Sequence, residues 1–270
     1  MPYYEANDQT QLFYTDWGTG KPIVFAHAWA MSSAMWEHYM LYFQAQGMRC
    51  IAYDRRGHGR SDKPGNGFNY DQHADDLASL IEKLDLKEIT LVGHSMGGGE
   101  IIRYLTRHGS DRVSRLALIA PTLPFLTKSA DNPEGIETSL LDSVRDAMQR
   151  DFPNWLNEGA DGFYRPNTLG VSSGIIQWTL DMMLQTSLKA VIEDNLEVTQ
   201  TDFRPELKNI EVPTLLIHGD EDQSVPVIFG RKTAQLIPQC QYKEYKGAPH
   251  GLFYTHMDNL KKDLFSYISG

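Results

Sequence analysis

The sequence predicts an α/β protein: a mostly parallel, twisted sheet flanked by helices, with one helical insertion. Three observations predict it. Short, continuous apolar runs such as Ile23-Val24-Phe25-Ala26 and Ile89-Thr90-Leu91-Val92 read as strands buried on both faces. Stretches with helical apolar spacing stand between them, and regular strand–helix alternation implies parallel strands joined by crossover helices. That alternation breaks at Thr122 and resumes after Lys208, which divides the chain into a core of residues 1–121 and 209–270 and a helical cap insertion of 122–208.

In chain order, residues 2–6 and 11–16 read as two strands around the polar turn Ala6-Asn7-Asp8-Gln9, closed by Gly18-Thr19-Gly20-Lys21-Pro22. The buried strand at 23–26 follows. Ser32-Ser33 then caps a helix to about Gln46, which Gly47 stops before the strand Arg49–Tyr53. The charged loop Asp54-Arg55-Arg56-Gly57-His58-Gly59-Arg60-Ser61 reads as structural, with Asp54 and the arginines holding it. Asn69 opens a helix with Ala74, Leu77, Ala78, Ile81 and Leu84 on one face, and its acidic face reads as solvated surface. After the strand at 89–92 and its helix, Val113–Ala120 is another buried strand.

From 122 to 208 no strand is expected. Leu140, Leu141, Val144 and Met148 mark one helix, Ile175, Ile176, Leu180 and Met183 a second, and Ala190, Val191, Asn195 and Val198 a third. A helical excursion between successive sheet strands reads as a cap over a site. Its Phe152, Trp155, Phe163, Tyr164 and Trp178 read one by one as core packing and together as an apolar surface toward that site. The alternation resumes with a strand at 212–218, a helix to about Ile237, a strand at 241–245 and a terminal helix carrying Met257, Leu260, Leu264 and Ile268.

A chain of 270 residues with net charge −10 suits one large domain and argues against nucleic acid as a partner, because phosphates need a basic face. The N-terminus lacks a basic region followed by an apolar stretch, so no secretory signal is expected. No apolar run approaches the roughly 20 residues of a membrane span. Cys50 and Cys240 read as reduced thiols in a cytoplasmic protein rather than a disulfide framework, and no spacing marks a dedicated metal site.

The chemistry centres on Gly93-His94-Ser95-Met96-Gly97-Gly98-Gly99. A β-branched strand, a small-residue turn around one serine, and a helix form the context of a nucleophile elbow. A serine hydroxyl needs a base, and the base needs an acid to fix its tautomer. In a parallel sheet these groups come from loops at the carboxyl ends of strands. Only His250, between Pro249 and Gly251, sits in a loop after the final strand, so it is the expected base among nine histidines. His94 adjoins the serine but belongs on the opposite face of the strand. Asp220, Glu221 and Asp222 are candidates for the acid. Asp222 is favoured because Asp220 leaves the strand directly and suits a turn, whereas Asp222 reaches sideways. Ser, then Asp, then His is the chain order of the α/β-hydrolase fold. The backbone N–H of Met96, at a helix N-terminus, and that of Trp29, after the strand at 23–26, are the expected oxyanion donors.

These residues resemble the bacterial non-haem haloperoxidases, a family of α/β-hydrolases that includes aryl esterases, perhydrolases and lactonases. The resemblance is carried over nearly the whole chain by Asp54–Ser61, Gly93–Glu100, His218-Gly219-Asp220 with Asp222 and Val225-Pro226, and Gly247–Gly251. It implies Ser95, Asp222 and His250 as a catalytic triad, Trp29 and Met96 as oxyanion donors, and no cofactor. Halogenation in such a family is indirect, through a peracid made from the serine ester. The chain departs from the family pattern with His27-Ala28 in place of His-Gly, with the small Ala30 after the tryptophan, and with Ser224 at an often aliphatic position. The expected pocket wall is Ala30, Thr122, Phe125, Ser224, Val225 and Leu252. The expected activity is a serine esterase acting on a small to medium ester or lactone. Peracid formation or lactone opening on the same residues is the enzymatic alternative, and a ligand-sensing receptor the non-enzymatic one. The expected partner is the small-molecule substrate, with neither nucleic acid nor membrane, and a homo-oligomer is left open.

Overall fold

The computed structural model describes residues 2–270. Its centre is an eight-stranded sheet in the order β1-β2-β4-β3-β5-β6-β7-β8. The strands are β1 (Tyr3–Glu5), β2 (Gln11–Trp17), β3 (Pro22–Ala26), β4 (Arg49–Tyr53), β5 (Ile89–His94), β6 (Val113–Ile119), β7 (Thr214–Gly219) and β8 (Cys240–Tyr245). β1 and β2 pair antiparallel, β2 joins β4 antiparallel, and every pairing from β4 to β8 is parallel.

The strand order reverses at β3. The chain runs from β3 outward to β4, then crosses back so that β5 pairs on the other side of β3. At such a switch point the loops leaving the two neighbouring strands diverge, and a crevice opens at their carboxyl ends. Those ends carry Ala26-His27 and His94-Ser95.

Alternate residues of each buried strand feed two cores, as a period of two requires. Val24, Ile51, Leu91 and Leu116 pack beneath α2 (Tyr70–Lys83) and α3 (Met96–His108). Ile23, Phe25, Cys50, Val92 and Ile217 pack beneath α1 (Glu37–Ala45), which follows a 3-10 turn at Ser33–Trp36, and beneath the terminal helices. Asn69 accepts a hydrogen bond from the Gln72 N–H at 2.9 Å, which caps α2 where the sequence placed its start.

Between β6 and β7 the described residues form two isolated bridges and five helices. These are α4 (Thr138–Tyr164), α5 (Pro166–Leu169), α6 (Ser173–Met183), α7 (Leu188–Gln200) and α8 (Arg204–Leu207). α4 bends at Asp151 (φ −157°, ψ 77°), two residues before Pro153, which cannot donate into the helix. The Asp151 carboxylate then caps the second half through the Asn154 N–H at 3.0 Å. α8 lies within the stretch read as insertion but packs on the core. Phe203 stands edge-on to Tyr70 at 5.0 Å, and Glu206 pairs with Arg103 of α3. α9 (Val227–Leu236), α10 (Leu252–Thr255) and α11 (Met257–Ser269) complete the chain. No helix among the described residues is long and apolar enough to cross a membrane.

The closest approach at the switch point involves Gly97 of α3. A Cβ there would stand 2.5 Å from the Ala26 carbonyl oxygen, and one at Gly93 would stand 2.6 Å from that of Gly97. Gly97→Ala is expected to cost about 1–3 kcal/mol by forcing α3 away from β3. Urea denaturation at pH 7.5 measures it, and an unchanged midpoint contradicts so close a contact.

Candidate active site

Ser95 sits between the last residue of β5 and the first of α3, with φ 55° and ψ −119°. A side chain held at positive φ outside a glycine is strained, and such strain persists only where surrounding contacts fix it. Here the Ser95 N–H donates to Ile119 O at 2.9 Å, and Ser95 O accepts from Gly98 at 3.0 Å and Thr122 at 3.3 Å. The carbonyl end of the Ser95–Met96 peptide is therefore pinned. In a trans peptide the N–H points opposite to the C=O, so the direction of the Met96 N–H is set as well. Among the described residues that N–H has no hydrogen-bond partner, and neither does the N–H of Trp29.

The loop after β7 separates two acids two residues apart. Asp220 accepts from the Gly247 N–H at 2.6 Å and so organises the turn. Asp222 reaches further: its Oδ1 accepts from the N–H groups of Ser224 and Val225 at 2.9 and 2.8 Å. Its Oδ2 accepts from His250 Nδ1 at 2.7 Å. Burial pushes the Asp222 carboxyl upward, but the charge of His250 and the hydrogen bonds from His218 and His250 outweigh it and hold the group far below the usual carboxylate range. His218 was not anticipated at the site. Its Nε2 donates to Val225 O at 2.8 Å and lies 3.3 Å from Asp222 Oδ2, a contact that its place near the end of a strand does not announce.

His94 packs its ring 4.9 Å from that of His250, and its Nε2 donates to the His250 carbonyl at 3.0 Å. Burial, reinforced by His250, pushes the His94 imidazole down to about 3. Phe163, near the end of α4, stands edge-on to His250 at 5.5 Å, and its carbonyl accepts from the Gly251 N–H at 2.9 Å.

A cavity of about 640 Å³ lies between the sheet edge and helices α4, α6 and α7. Ser95 and His250 both line it and are not hydrogen-bonded to each other. Trp29 lines it too, while its indole Nε1 donates to Val191 O of α7 at 2.9 Å. Of the expected pocket wall, Thr122, Ser224 and Val225 face the cavity.

Three expected residues do not line it. Ala30 adopts a left-handed φ of 56°, is fully buried in the core, and yields its place to Met31. Phe125 lies beneath the Arg204 guanidinium, 5.2 Å from its ring centre, and Leu126 lines the cavity instead. Leu252, the first residue of α10, is buried beneath the sheet. Most of the wall comes from residues the sequence reading did not single out as pocket, among them Ile136, Leu156 and Thr179.

The charged loop after β4 is held by buried partners. Asp54 accepts from the Ser33 and Arg60 N–H groups at 2.8 Å each, and Arg56 forms a two-point pair with Asp76 at 2.7 Å.

Comparison with known proteins places this geometry. Residues 21–166 match a family model described as the alpha/beta hydrolase fold. A non-haem haloperoxidase of Rhodococcus erythropolis is 39% identical over 272 residues, covering 99% of both chains. A bifunctional esterase/perhydrolase of Acinetobacter calcoaceticus is 35% identical over 275 residues, again covering 99% of each. The crystal structure of a bromoperoxidase from Bacillus anthracis superposes with a TM-score of 0.95 at 35% identity, covering 99% of both chains.

Burial also pushes the His58 imidazole down to about 4. An unfolded imidazole binds a proton near pH 6.5, and the folded His58 and His94 bind theirs only well below that. Their contribution to stability is thus complete above about pH 6.5 and is lost as pH falls from there toward about 4 and about 3. The unfolding free energy from urea titrations, and with it the midpoint, is expected to decline across this window, the free energy by up to about 1.4 kcal/mol per pH unit for each imidazole that stays neutral. A midpoint that holds constant from pH 7 to 4.5 contradicts the burial of neutral rings.

Proposed function

The chain belongs to the α/β-hydrolase family, among the non-haem haloperoxidases and their esterase and perhydrolase relatives, and from that premise we propose that it is a cytoplasmic serine carboxylic ester hydrolase. In this reading Ser95 is the nucleophile, His250 the general base, Asp222 the acid that orients it, and the N–H groups of Trp29 and Met96 the oxyanion donors. Helices α4, α6 and α7 act as a cap that closes the site from water.

The observation that carries the reading is the 2.7 Å contact between Asp222 Oδ2 and His250 Nδ1 at the edge of a cavity that Ser95 also lines. An ionised Asp222 keeps the proton on Nδ1, which leaves the Nε2 lone pair for the serine. Ser95 and His250 come into hydrogen bond in the substrate complex, where such contacts tighten. Nε2 takes the hydroxyl proton as Ser95 Oγ attacks the carbonyl carbon, and the tetrahedral oxyanion accepts from Trp29 and Met96. Collapse of the adduct expels the alcohol, which receives the proton back from His250. Water then gives a proton to His250 and attacks the acyl-enzyme, and collapse of the second adduct breaks the acyl–Oγ bond as His250 returns that proton to Ser95 Oγ, releasing the acid. Amide donors in a water-poor cavity stabilise the developing charge without having to reorganise.

Peracid formation is the second reading, supported by the relative named esterase/perhydrolase. Hydrogen peroxide would replace water at the acyl-enzyme, and the same Ser95 ester would yield a peracid.

Aryl esters, lactones and acetate with peroxide, compared at matched concentrations, test the reaction class. Turnover of at least one ester or lactone is expected, and inactivity on all of them contradicts the reading. Asp222→Asn is expected to lower kcat by about 10⁴-fold through the wrong imidazole tautomer, while Asp220→Asn, one turn contact away, costs far less. Equal losses in the two asparagine variants contradict the assignment of Asp222.

A further inference from the structure

Two N–H groups form one oxyanion site only if both point at the same place. Peptide planarity makes each direction depend on what holds the carbonyl of the same peptide. For Met96 the holders are backbone groups. For Trp29 the carbonyl is that of Ala28, which accepts a turn bond from the Met31 N–H at 3.3 Å and a shorter one from His27 Nδ1 at 2.7 Å.

The tautomer of His27 follows from its second contact. Nε2 lies 3.0 Å from the Arg55 N–H, which can only donate, so Nε2 accepts and Nδ1 carries the single proton of the neutral ring toward Ala28 O; Arg55 Nη1, 2.9 Å from Nδ1, therefore does not donate to it. Burial, with the Arg55 charge, holds His27 well below the usual imidazole range, which keeps this neutral form in place.

Arg55 extends the arrangement. Its Nη1 converges on the same Ala28 carbonyl at 3.4 Å, its Nη2 donates to His27 O, and its Nε donates to Glu100. Glu100 lies four residues after Met96 on α3, and its other oxygen accepts from Tyr53 OH at 2.5 Å. All four side chains are buried. A buried ion pair is weak evidence for stability, since apolar residues of like volume do as well or better. From the loop after β4, Arg55 joins the two elements that carry the two donors: its Nη groups meet the loop after β3 at Ala28 O and His27 O, and its Nε meets the helix after Ser95 at Glu100.

We propose that Arg55 and Glu100, acting through His27, are positioning residues that fix the Trp29 N–H against the Met96 N–H, so that both donors meet one oxyanion. This rests on the serine hydrolase reading. Arg55, anchored on α3 by Glu100, spaces the β3 loop from that helix, and His27 turns the Ala28–Trp29 peptide so that its N–H faces the cavity.

The test uses the full chain, an aryl acetate as substrate and an aryl trifluoromethyl ketone as the probe that forms a tetrahedral adduct on serine. Wild-type turnover that vanishes in Ser95→Ala tests the underlying reading, and ratios among variants of the active enzyme test the positioning. His27→Leu removes the donor to Ala28 O and is expected to lower kcat by about 10²-fold, the scale of losing one oxyanion donor. KM should stay within about twofold, and ketone affinity should weaken by the same factor as kcat/KM. His27→Asn offers an amide N–H where Nδ1–H stands and is expected to recover at least about tenfold of the loss. A folded His27→Leu variant with unchanged kcat, or no recovery in His27→Asn, overturns the proposal.

If the leucine variant does not fold, the wild type decides by NMR. The Trp29 amide proton is expected to shift downfield when the ketone binds, and an unmoved Trp29 amide in an enzyme that the ketone inhibits overturns it.

Discussion

The site depends on how closely α3 approaches β3. Gly97 lies against the Ala26 carbonyl with no room for a Cβ, and this contact brings the start of α3 beside the loop that leaves β3. The same approach holds Ser95 at a positive φ between Ile119 on one side and Gly98 and Thr122 on the other. Strain in that turn is affordable because the sheet on both sides is fully paired and buried. Two amide groups without partners among the described residues are thereby left at the rim of one crevice, at the point where the strand order reverses.

Around that point the polar groups are held in a graded way. Asp222 is ionised because two imidazoles and two backbone N–H groups face it, whereas His94 and His58 are neutral because burial costs an isolated imidazolium more than their neighbours return. The helices over the cavity are fastened to this core by polar contacts as well as by packing. Trp29 Nε1 meets Val191 O, Gly251 N–H meets Phe163 O, Ala30 O accepts from Thr186, and His73 lies 2.7 Å from the buried Asp194 of α7. Three of these contacts fall on or next to residues given catalytic roles here, so this helical stretch is tied to the site by hydrogen bonds as well as by apolar contact.

The sheet was legible because its signals are local. Each strand announces itself as a short apolar run, and the groups at strand ends must share one edge of a parallel sheet. This is why order along the chain sufficed to bring Asp222 and His250 together on paper. The pocket wall was less legible, because its residues depend on backbone turns the sequence does not mark. Nothing in Trp29-Ala30-Met31 reveals that an alanine takes a left-handed φ and hands its place to the next residue. Phe125 and Leu126 likewise exchange roles through the direction of a loop. His27 reads as a polar residue at a strand end, and its hold on the Ala28 carbonyl becomes visible only with Arg55, 28 residues away, in place.

The account centres on an ester formed at Ser95, and rapid-quench mass spectrometry of the enzyme with a p-nitrophenyl ester tests that most directly. The account predicts a transient mass increase equal to the acyl group, mapped to the peptide containing Ser95 and formed in step with a burst of nitrophenol. Turnover with no adduct at any quench time and no burst, under conditions where an Asp222→Asn variant also accumulates none, or an adduct mapped to another residue, would contradict it.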